Sequence, residues 1–145
     1  MLSTSTVMTK DVVVVSPLVS VGGAAHLMAR LIVRHLPVVQ AGRLVGILSD
    51  RDLLKHDASV SCGEAMTPGP VTCPPNTPVG RVAEIMLHHR IDSVPIVGGE
   101  GVLVGLVTST DLLRLLVERE GDRLLPFDFR LRVADTDGEA LAVAA

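Results

Sequence analysis

The chain has 145 residues, of which 48 % are hydrophobic, and a formal net charge of −3. This hydrophobic share excludes an intrinsically disordered chain, and no apolar run approaches the roughly 18 residues of a membrane span. Mild acidity and the lack of Trp and Tyr argue against nucleic-acid binding, which usually requires a basic groove with aromatic platforms.

The first half predicts a short series of elements. "VVVV" (12–15) indicates a strand that ends before Pro17. Apolar residues spaced by three and four between Val21 and Ile32 predict an amphipathic helix that begins at Ser20. "LPVV" (36–39), a turn at 40–42 and "RLVGIL" (43–48) predict a hairpin, and a helix is expected from about 50 to 56.

The same series returns 58 residues later, which indicates an internal duplication. "PVTC" (70–73), a helix that begins at Thr77 or Pro78, and a hairpin of "VPIV" (94–97) and "VLVGLV" (102–107) repeat the order, and a helix follows at 109–120. We therefore predict two β-α-β-β-α repeats, residues 1–60 and 61–120, in an α/β (α+β) fold. Alternating apolar residues at 127–133 predict an added strand in a tail, residues 121–145, whose last ten residues are expected to lack regular structure.

One phrase is present in both repeats, "GILSDRDLL" (46–54) and "GLVTSTDLL" (105–113). Ser49-x-x-Asp52 and Thr108-x-x-Asp111 have the spacing of a capping box, in which a hydroxyl and an acid satisfy the backbone at a helix start. The same groups could bind a nucleotide, because a helix start accepts phosphate and a carboxylate accepts hydrogen bonds from a ribose diol. Glycine at 46 and 105 would allow close approach of a ligand or simply tight packing, and both interpretations stay open.

Other candidate sites in the sequence are weak. His88 and His89 are adjacent on a predicted helix, so their side chains point in different directions and no metal site is expected. Cys62 and Cys73 have neither zinc-ligand nor disulfide spacing. No sequence context of a catalytic nucleophile is found. We expect no catalytic residues, no metal and no required cofactor.

The repeated order "VMT…LPVV…G.LVGILS..DLL" resembles a pair of cystathionine β-synthase (CBS) domains, called a Bateman module, over about residues 7–117. The resemblance implies two β-α-β-β-α units packed about a pseudo-twofold axis and a flat homodimer. It also implies a non-enzymatic regulator that binds AMP, ADP, ATP or S-adenosylmethionine and acts on a separate, unidentified protein target. The isolated cysteines and the lack of a secretory signal make the cytoplasm the expected compartment, and no contact with nucleic acid or membrane is expected from the composition. The alternative is a ligand-free dimerisation or protein-interaction module.

The resemblance also implies two crossed clefts, in which one repeat holds the ribose and the other clamps the base. In the first cleft, named here the Asp52 cleft, the ligand would contact Ser49, Arg51, Asp52, Arg34, His35, Thr67, Val71, Ile91, Asp92 and Ser93. In the second, the Asp111 cleft, it would contact Thr108, Thr110, Asp111, Thr9, Val13, Val33, Arg34 and His35, with Asp92 and Ser93 facing the phosphates.

The charges of these residues predict a difference between the clefts. Arg34, His35 and Arg51 converge on the Asp52 cleft, and arginine makes charge-assisted contacts with phosphate. Asp92 would repel phosphate in the Asp111 cleft. A polyphosphate nucleotide is therefore expected in the Asp52 cleft and a positively charged ligand such as S-adenosylmethionine in the Asp111 cleft. Alternatively, Arg34 and Arg51 are solvated residues at helix ends.

Overall fold

The computed structural model describes residues 2–120, 131–134 and 140–143. Its helices and strands follow one another in the order α1 (Val21–Leu31), β1 (His35–Gln40), β2 (Arg43–Ser49), α2 (Asp50–Leu53), α3 (Cys62–Ala65), β3 (Thr67–Pro68), α4 (Val79–His89), β4 (Ser93–Val97), β5 (Leu103–Thr108), α5 (Ser109–Glu120), β6 (Leu131–Ala134) and β7 (Ala140–Val143). This mixture of helices and small sheets confirms the predicted α/β (α+β) class.

The two predicted hairpins are present and have the same register. β1 pairs with β2 so that His35 faces Ser49, and β4 pairs with β5 so that Ser93 faces Thr108. Each hairpin has an irregularity at the equivalent place, between Val38 and Val39 and between Ile96 and Val97. The shared register places the start of each first strand beside the hydroxyl residue that ends the second.

The strands predicted at the beginning of each repeat are reduced to single bridges. Only Val15 and Cys73 form parallel bridges, to Val38 and Ile96 respectively. Val13 and Val14 are exposed, so two of the four valines contribute little to the core. The prediction of full strands at 12–15 and 70–73 was therefore wrong. β-branched residues favour a strand, but only one residue of each segment pairs with a neighbouring strand.

Helices α1 and α4 lie where the apolar spacing predicts them, and Ser20 caps α1 by accepting a hydrogen bond from the Gly23 N–H at 3.0 Å. Pro78 precedes α4 without a side-chain cap. Both helices end at a residue with left-handed backbone, Ile32 and Arg90 (φ 55° in each). The predicted helix at 50–56 is shorter than expected, because α2 ends at Leu53. The next residue, Leu54, is exposed, so burial of its side chain does not stabilise a further helical turn.

The segment at the beginning of each repeat packs on the other repeat. Thr9 forms a bridge to Leu106 in β5, and β3, which contains Thr67, pairs with β2. The N–H of Thr4 donates to the carbonyl oxygen of Thr77 at 2.9 Å. Each predicted repeat, residues 1–60 and 61–120, therefore contributes the short segment at its beginning to the packing of the other repeat.

The hydrophobic cores follow this exchange. The first core contains buried residues of the first repeat together with Cys62 and Ala65, and Met66 packs against it. The second contains Cys73, Val82, Met86, Val94, Ile96 and Val107, and Met8 packs against it. Each repeat thus completes its core with a methionine from the beginning of the other repeat, which joins the two repeats.

In the tail, β6 pairs antiparallel with β7, with Leu131 opposite Val143. The predicted strand at 127–133 overlaps β6, and its residues 127–130 lie outside the described residues. β7 corrects the expectation that the last ten residues lack regular structure. Among the described helices, none combines the length and hydropathy that are needed to cross a bilayer.

Candidate functional site

The repeated phrase forms the same hydrogen-bonded turn twice. The Ser49 N–H donates to Oδ2 of Asp52 at 2.8 Å, and the Asp52 N–H donates to Oγ of Ser49 at 3.3 Å. In the second repeat the Thr108 N–H donates to Oδ2 of Asp111 at 2.9 Å, and the Asp111 N–H donates to Oγ1 of Thr108 at 3.4 Å. Each pair is a capping box, as its spacing predicts, and each borders a cavity.

The cavity beside Asp52 has a volume of about 650 Å³. All ten residues predicted for this cleft border it, including the apolar side chains of Val71 and Ile91 from the other repeat. Seven residues that were not predicted from the sequence complete its wall: Ile47, Asp50, Gly69, Pro70, Met86, Leu87 and Arg90. The structure thus brings the first predicted set together in one space large enough for a small ligand.

The cavity beside Asp111 has a volume of about 440 Å³. All eight residues first assigned to this cleft border it, and Asp92 does so as well. Ser93 does not border this cavity, which corrects its predicted position toward phosphates there. The rest of its wall consists of seven residues that were not predicted from the sequence: Asp11, Val12, Leu31, Ile32, Leu106, Ser109 and Arg114.

The two aspartates differ in burial and in their partners. Asp111 is 7 % exposed, and besides the Thr108 contacts it lies 3.4 Å from Oγ1 of Thr9 and 3.5 Å from Nη1 of Arg114. Asp52 is half-buried, and its hydrogen bonds from the described residues come from the backbone and hydroxyl of Ser49, both to Oδ2. Oδ1 of Asp52 therefore retains acceptor capacity toward its cavity.

The glycines of the repeated phrase, Gly46 and Gly105, allow β2 and β5 to pack closely against the segments that contain Thr67 and Thr9. A Cβ on Gly46 would lie 2.8 Å from Cγ of Met66 and 2.9 Å from the carbonyl oxygen of Thr67. A Cβ on Gly105 would lie 2.9 Å from Cγ of Met8 and 3.1 Å from the carbonyl oxygen of Thr9. These distances are too short for a side chain, so of the two roles considered for the glycines the structure supports tight packing.

A histidine–aspartate pair stands between the two cavities. Nε2 of His35 lies 2.9 Å from Oδ1 of Asp92, and the side chains are 15 % and 49 % exposed. Arg34, His35 and Asp92 border both cavities. Asp92 therefore faces both clefts, and its negative charge does not by itself distinguish them.

The charge difference between the clefts is smaller than the sequence predicts, but its direction is unchanged. Besides the shared residues, Arg51, Arg90, Asp50 and Asp52 border the Asp52 cavity, whereas Arg114, Asp11 and Asp111 border the other. The Asp52 cavity therefore has one arginine more, with the same number of aspartates. Two signals could have located the missed arginines: Arg90 follows α4 where Ile32 follows α1, and Arg114 lies one helical turn after Asp111.

Ser93 adds a buried polar group to the wall of the Asp52 cavity. Ser93 borders the Asp52 cavity, and its hydroxyl oxygen is buried without a hydrogen-bond partner among the described residues.

Burial raises the pKa of the Cys62 thiol, and burial also raises the pKa of Cys73 against the opposing effects of Thr77 and Arg81. Within residues 2–120, 131–134 and 140–143, no three His, Cys, Asp or Glu side chains come together in a way that could hold a metal ion.

Comparisons with known proteins agree with this arrangement. The model of the CBS domain matches residues 5–59 and 62–118. An inosine-5'-monophosphate dehydrogenase from Thermoplasma acidophilum is 37 % identical over 110 residues, which are 74 % of this chain and 22 % of that protein. The chain thus spans about a fifth of the length of this curated relative.

Solved structures with a similar fold include ligand complexes. The CBS domain pair of protein MJ0100, in complex with 5'-methylthioadenosine and S-adenosyl-L-methionine, is 30 % identical with a TM-score of 0.77, covering 82 % of this chain and 98 % of that one. CBSX2 in complex with AMP is 28 % identical with a TM-score of 0.78, covering 83 % of this chain and 100 % of that one.

Proposed function

The chain belongs to the CBS domain family, and on this premise we propose that it binds an adenosyl ligand in the clefts between its repeats and thereby regulates a separate protein. The observation that carries the proposal is the pair of cavities. One repeat contributes a capping-box hydroxyl and aspartate to each cavity, and the other repeat contributes apolar residues. Related CBS domain pairs that hold AMP or S-adenosyl-L-methionine support it.

Each part of an adenosyl ligand has a matching group in the Asp52 cleft. The free carboxylate oxygen of Asp52 can accept hydrogen bonds from a ribose diol, as acids do in dinucleotide-binding folds. Val71 and Ile91 offer aliphatic surfaces for the base, and Arg51 can contact phosphate. Because α2 has only four residues, few aligned peptide dipoles support a phosphate there, so this role falls to the arginines.

The Asp111 cleft is proposed as the weaker site for a nucleotide. Its carboxylate is already in contact with Thr9 and Arg114, so a ribose has to replace these partners. It also has one arginine fewer than the Asp52 cleft. A polyphosphate nucleotide is therefore proposed for the Asp52 cleft, and a ligand with a positive group, such as S-adenosylmethionine, for the Asp111 cleft.

In this proposal the chain is itself not an enzyme: the ligand is a signal, and the output passes from a cytoplasmic homodimer to a partner protein. A second candidate function, a ligand-free interaction module, is favoured by a different observation. Leu113, Leu116 and Val117 form an exposed apolar stripe on α5, where a protein surface rather than a nucleotide could bind.

A thermal-shift panel separates the two candidates. AMP, ADP, ATP, NAD and S-adenosylmethionine are tested on wild type, Asp52→Ala and Asp111→Ala. A ligand at a hundred times its dissociation constant adds about 2.7 kcal/mol of stability, and we expect an adenosyl compound to raise the wild-type midpoint and one aspartate variant to lose the response. If no compound stabilises the wild type, while both variants are less stable by themselves, the phrase serves only as a helix cap and the interaction module is the better function.

A further inference from the structure

One arginine is available to both cavities. Arg34 borders the Asp52 cavity and the Asp111 cavity, whereas Arg51 and Arg90 border only the former and Arg114 only the latter. Arg34 is exposed, and within the described part of the chain it makes neither an ion pair nor a side-chain hydrogen bond. Its guanidinium is therefore free to turn toward an anion on either side.

The wall beside Arg34 is held in place. Nε2 of His35 contacts Oδ1 of Asp92 at 2.9 Å, and the His35 side chain is only 15 % exposed. The Asp50 N–H, at the start of α2, donates to the carbonyl oxygen of Arg34 at 2.9 Å, and the Ser109 N–H, at the start of α5, donates to that of Asp92 at 2.9 Å. The backbone of Arg34 is thus fixed, and its side chain is the movable part of the boundary.

We propose that Arg34 makes the two clefts compete for phosphate, so that a phosphate-bearing ligand in one cleft weakens the binding of a second one in the other. This inference rests on the proposed function. One guanidinium forms its bidentate contact with one phosphate at a time, so the second ligand binds without that contact. The coupling is reciprocal, as linkage requires, and it requires a phosphate.

The test compares AMP with adenosine by titration calorimetry. Asp111→Asn reports the affinity of the Asp52 cleft alone, and Asp52→Asn that of the Asp111 cleft alone. If the sites are independent, the product of these two constants equals the constant for placing two ligands on wild type. For AMP we expect the wild-type constant to be about five- to tenfold lower than the product, and for adenosine the two should agree.

Two arginine variants locate the coupling. With Arg34→Gln in all three backgrounds, the AMP constant should return to within about twofold of the product. Arg51→Gln is the matched control, because Arg51 borders only the Asp52 cavity: it should weaken AMP binding there and leave the ratio unchanged. If Asp111→Asn does not fold, the ratio of the two stepwise AMP constants is compared between wild type and Arg34→Gln, and it should move toward the ratio for adenosine.

Each outcome decides one statement. AMP binding to both clefts with constants that multiply in wild type overturns the coupling and leaves the proposed function intact. Equal coupling for AMP and adenosine also overturns it, because a phosphate-independent change would then link the sites. No response to AMP in the Asp52→Asn protein shows that the Asp111 cleft binds no AMP, and the inference fails. If neither AMP nor adenosine binds wild type, the proposed function itself fails for these ligands.

Discussion

Asp52 and Asp111 occupy the same place in the repeated phrase, yet their surroundings differ. Asp111 is 7 % exposed, lies in the first turn of a twelve-residue helix and contacts Thr9 and Arg114 in addition to its capping partner. Asp52 is half-buried and lies in a helix of only four residues. The comparison indicates that duplication has kept the capping box in both repeats, while one carboxylate is used mainly within the protein and the other keeps an oxygen open to its cavity.

The largest expected effect compares the two aspartates directly. Asp111→Ala should lower the free energy of unfolding by about 3 kcal/mol, because it removes a buried acceptor of several hydrogen bonds. Asp52→Ala should cost about 1 kcal/mol, the usual value of a cap. Urea unfolding of both variants measures the difference. Equal losses in the free energy of unfolding would show that the two carboxylates contribute equally to stability, and would contradict the difference inferred between them.

The phrase glycines sharpen the comparison at the level of packing. Gly46→Ala and Gly105→Ala should each lower stability by about 2 kcal/mol through overpacking, and Gly46→Ala should cost more, because its Cβ would lie closer to the backbone carbonyl oxygen of the facing segment. Chemical denaturation of both variants measures this. The matched control is Gly80→Ala, whose Cβ meets nothing within 4 Å in α4. It should be neutral or stabilising, and a loss as large as those of the other two variants would contradict the packing role.

The left-handed residues after α1 and α4 give a smaller effect. Ile32 and Arg90 share φ 55°, a conformation that is worst for a β-branched side chain. Ile32→Asn should therefore raise the unfolding free energy by about 1 kcal/mol, and Arg90→Asn by less. Thermal unfolding midpoints of the two variants should rise in that order, and the reverse order would show that side-chain contacts outweigh backbone strain at these positions.

Much of the fold could be predicted from the sequence, because the duplicated pattern fixes which residues align. The hairpins, the capping boxes at Ser49 and Thr108, and helices α1 and α4 follow from local spacing alone. The single bridges at Val15 and Cys73 could not be predicted, since strand length depends on a neighbouring edge that is distant in sequence. The early end of α2 at Leu53 likewise depends on packing, which local helix propensity does not report.

The site was predictable to the extent that it lies on repeated positions. Each set of residues assigned to a cleft from the resemblance borders the cavity expected for it, apart from Ser93 in the Asp111 cleft. Arg90 and Arg114 were missed because neither is part of the phrase, and their access to a cavity depends on how the two repeats pack. That His35 and Asp92 form a pair shared by both clefts is a property of this packing.

The buried thiols provide the smallest expected contrast between the two cores. Burial raises the pKa of both Cys62 and Cys73, while Thr77 and Arg81 oppose the rise at Cys73. A raised thiol pKa contributes stability that is complete below the ordinary thiol pKa and is lost as the pH rises through the folded-state value. Both thiols are also buried, Cys62 completely and Cys73 with 3 % exposed. Alkylation of the native protein should therefore be slow at both thiols, and slower at Cys62, as peptide mass spectrometry can measure. Rapid alkylation of Cys62 in the native protein would contradict this.

The central claim, that a polyphosphate nucleotide binds beside Asp52 rather than beside Asp111, is tested most directly by calorimetric titration of ATP into Asp52→Asn and Asp111→Asn. Both substitutions keep the size of the side chain, and circular dichroism of each variant serves as the control for folding. We predict that Asp52→Asn weakens ATP binding by at least about tenfold, the effect of roughly 1.4 kcal/mol, while Asp111→Asn retains nearly the wild-type affinity. The opposite pattern, or equal losses in both variants, would contradict the account.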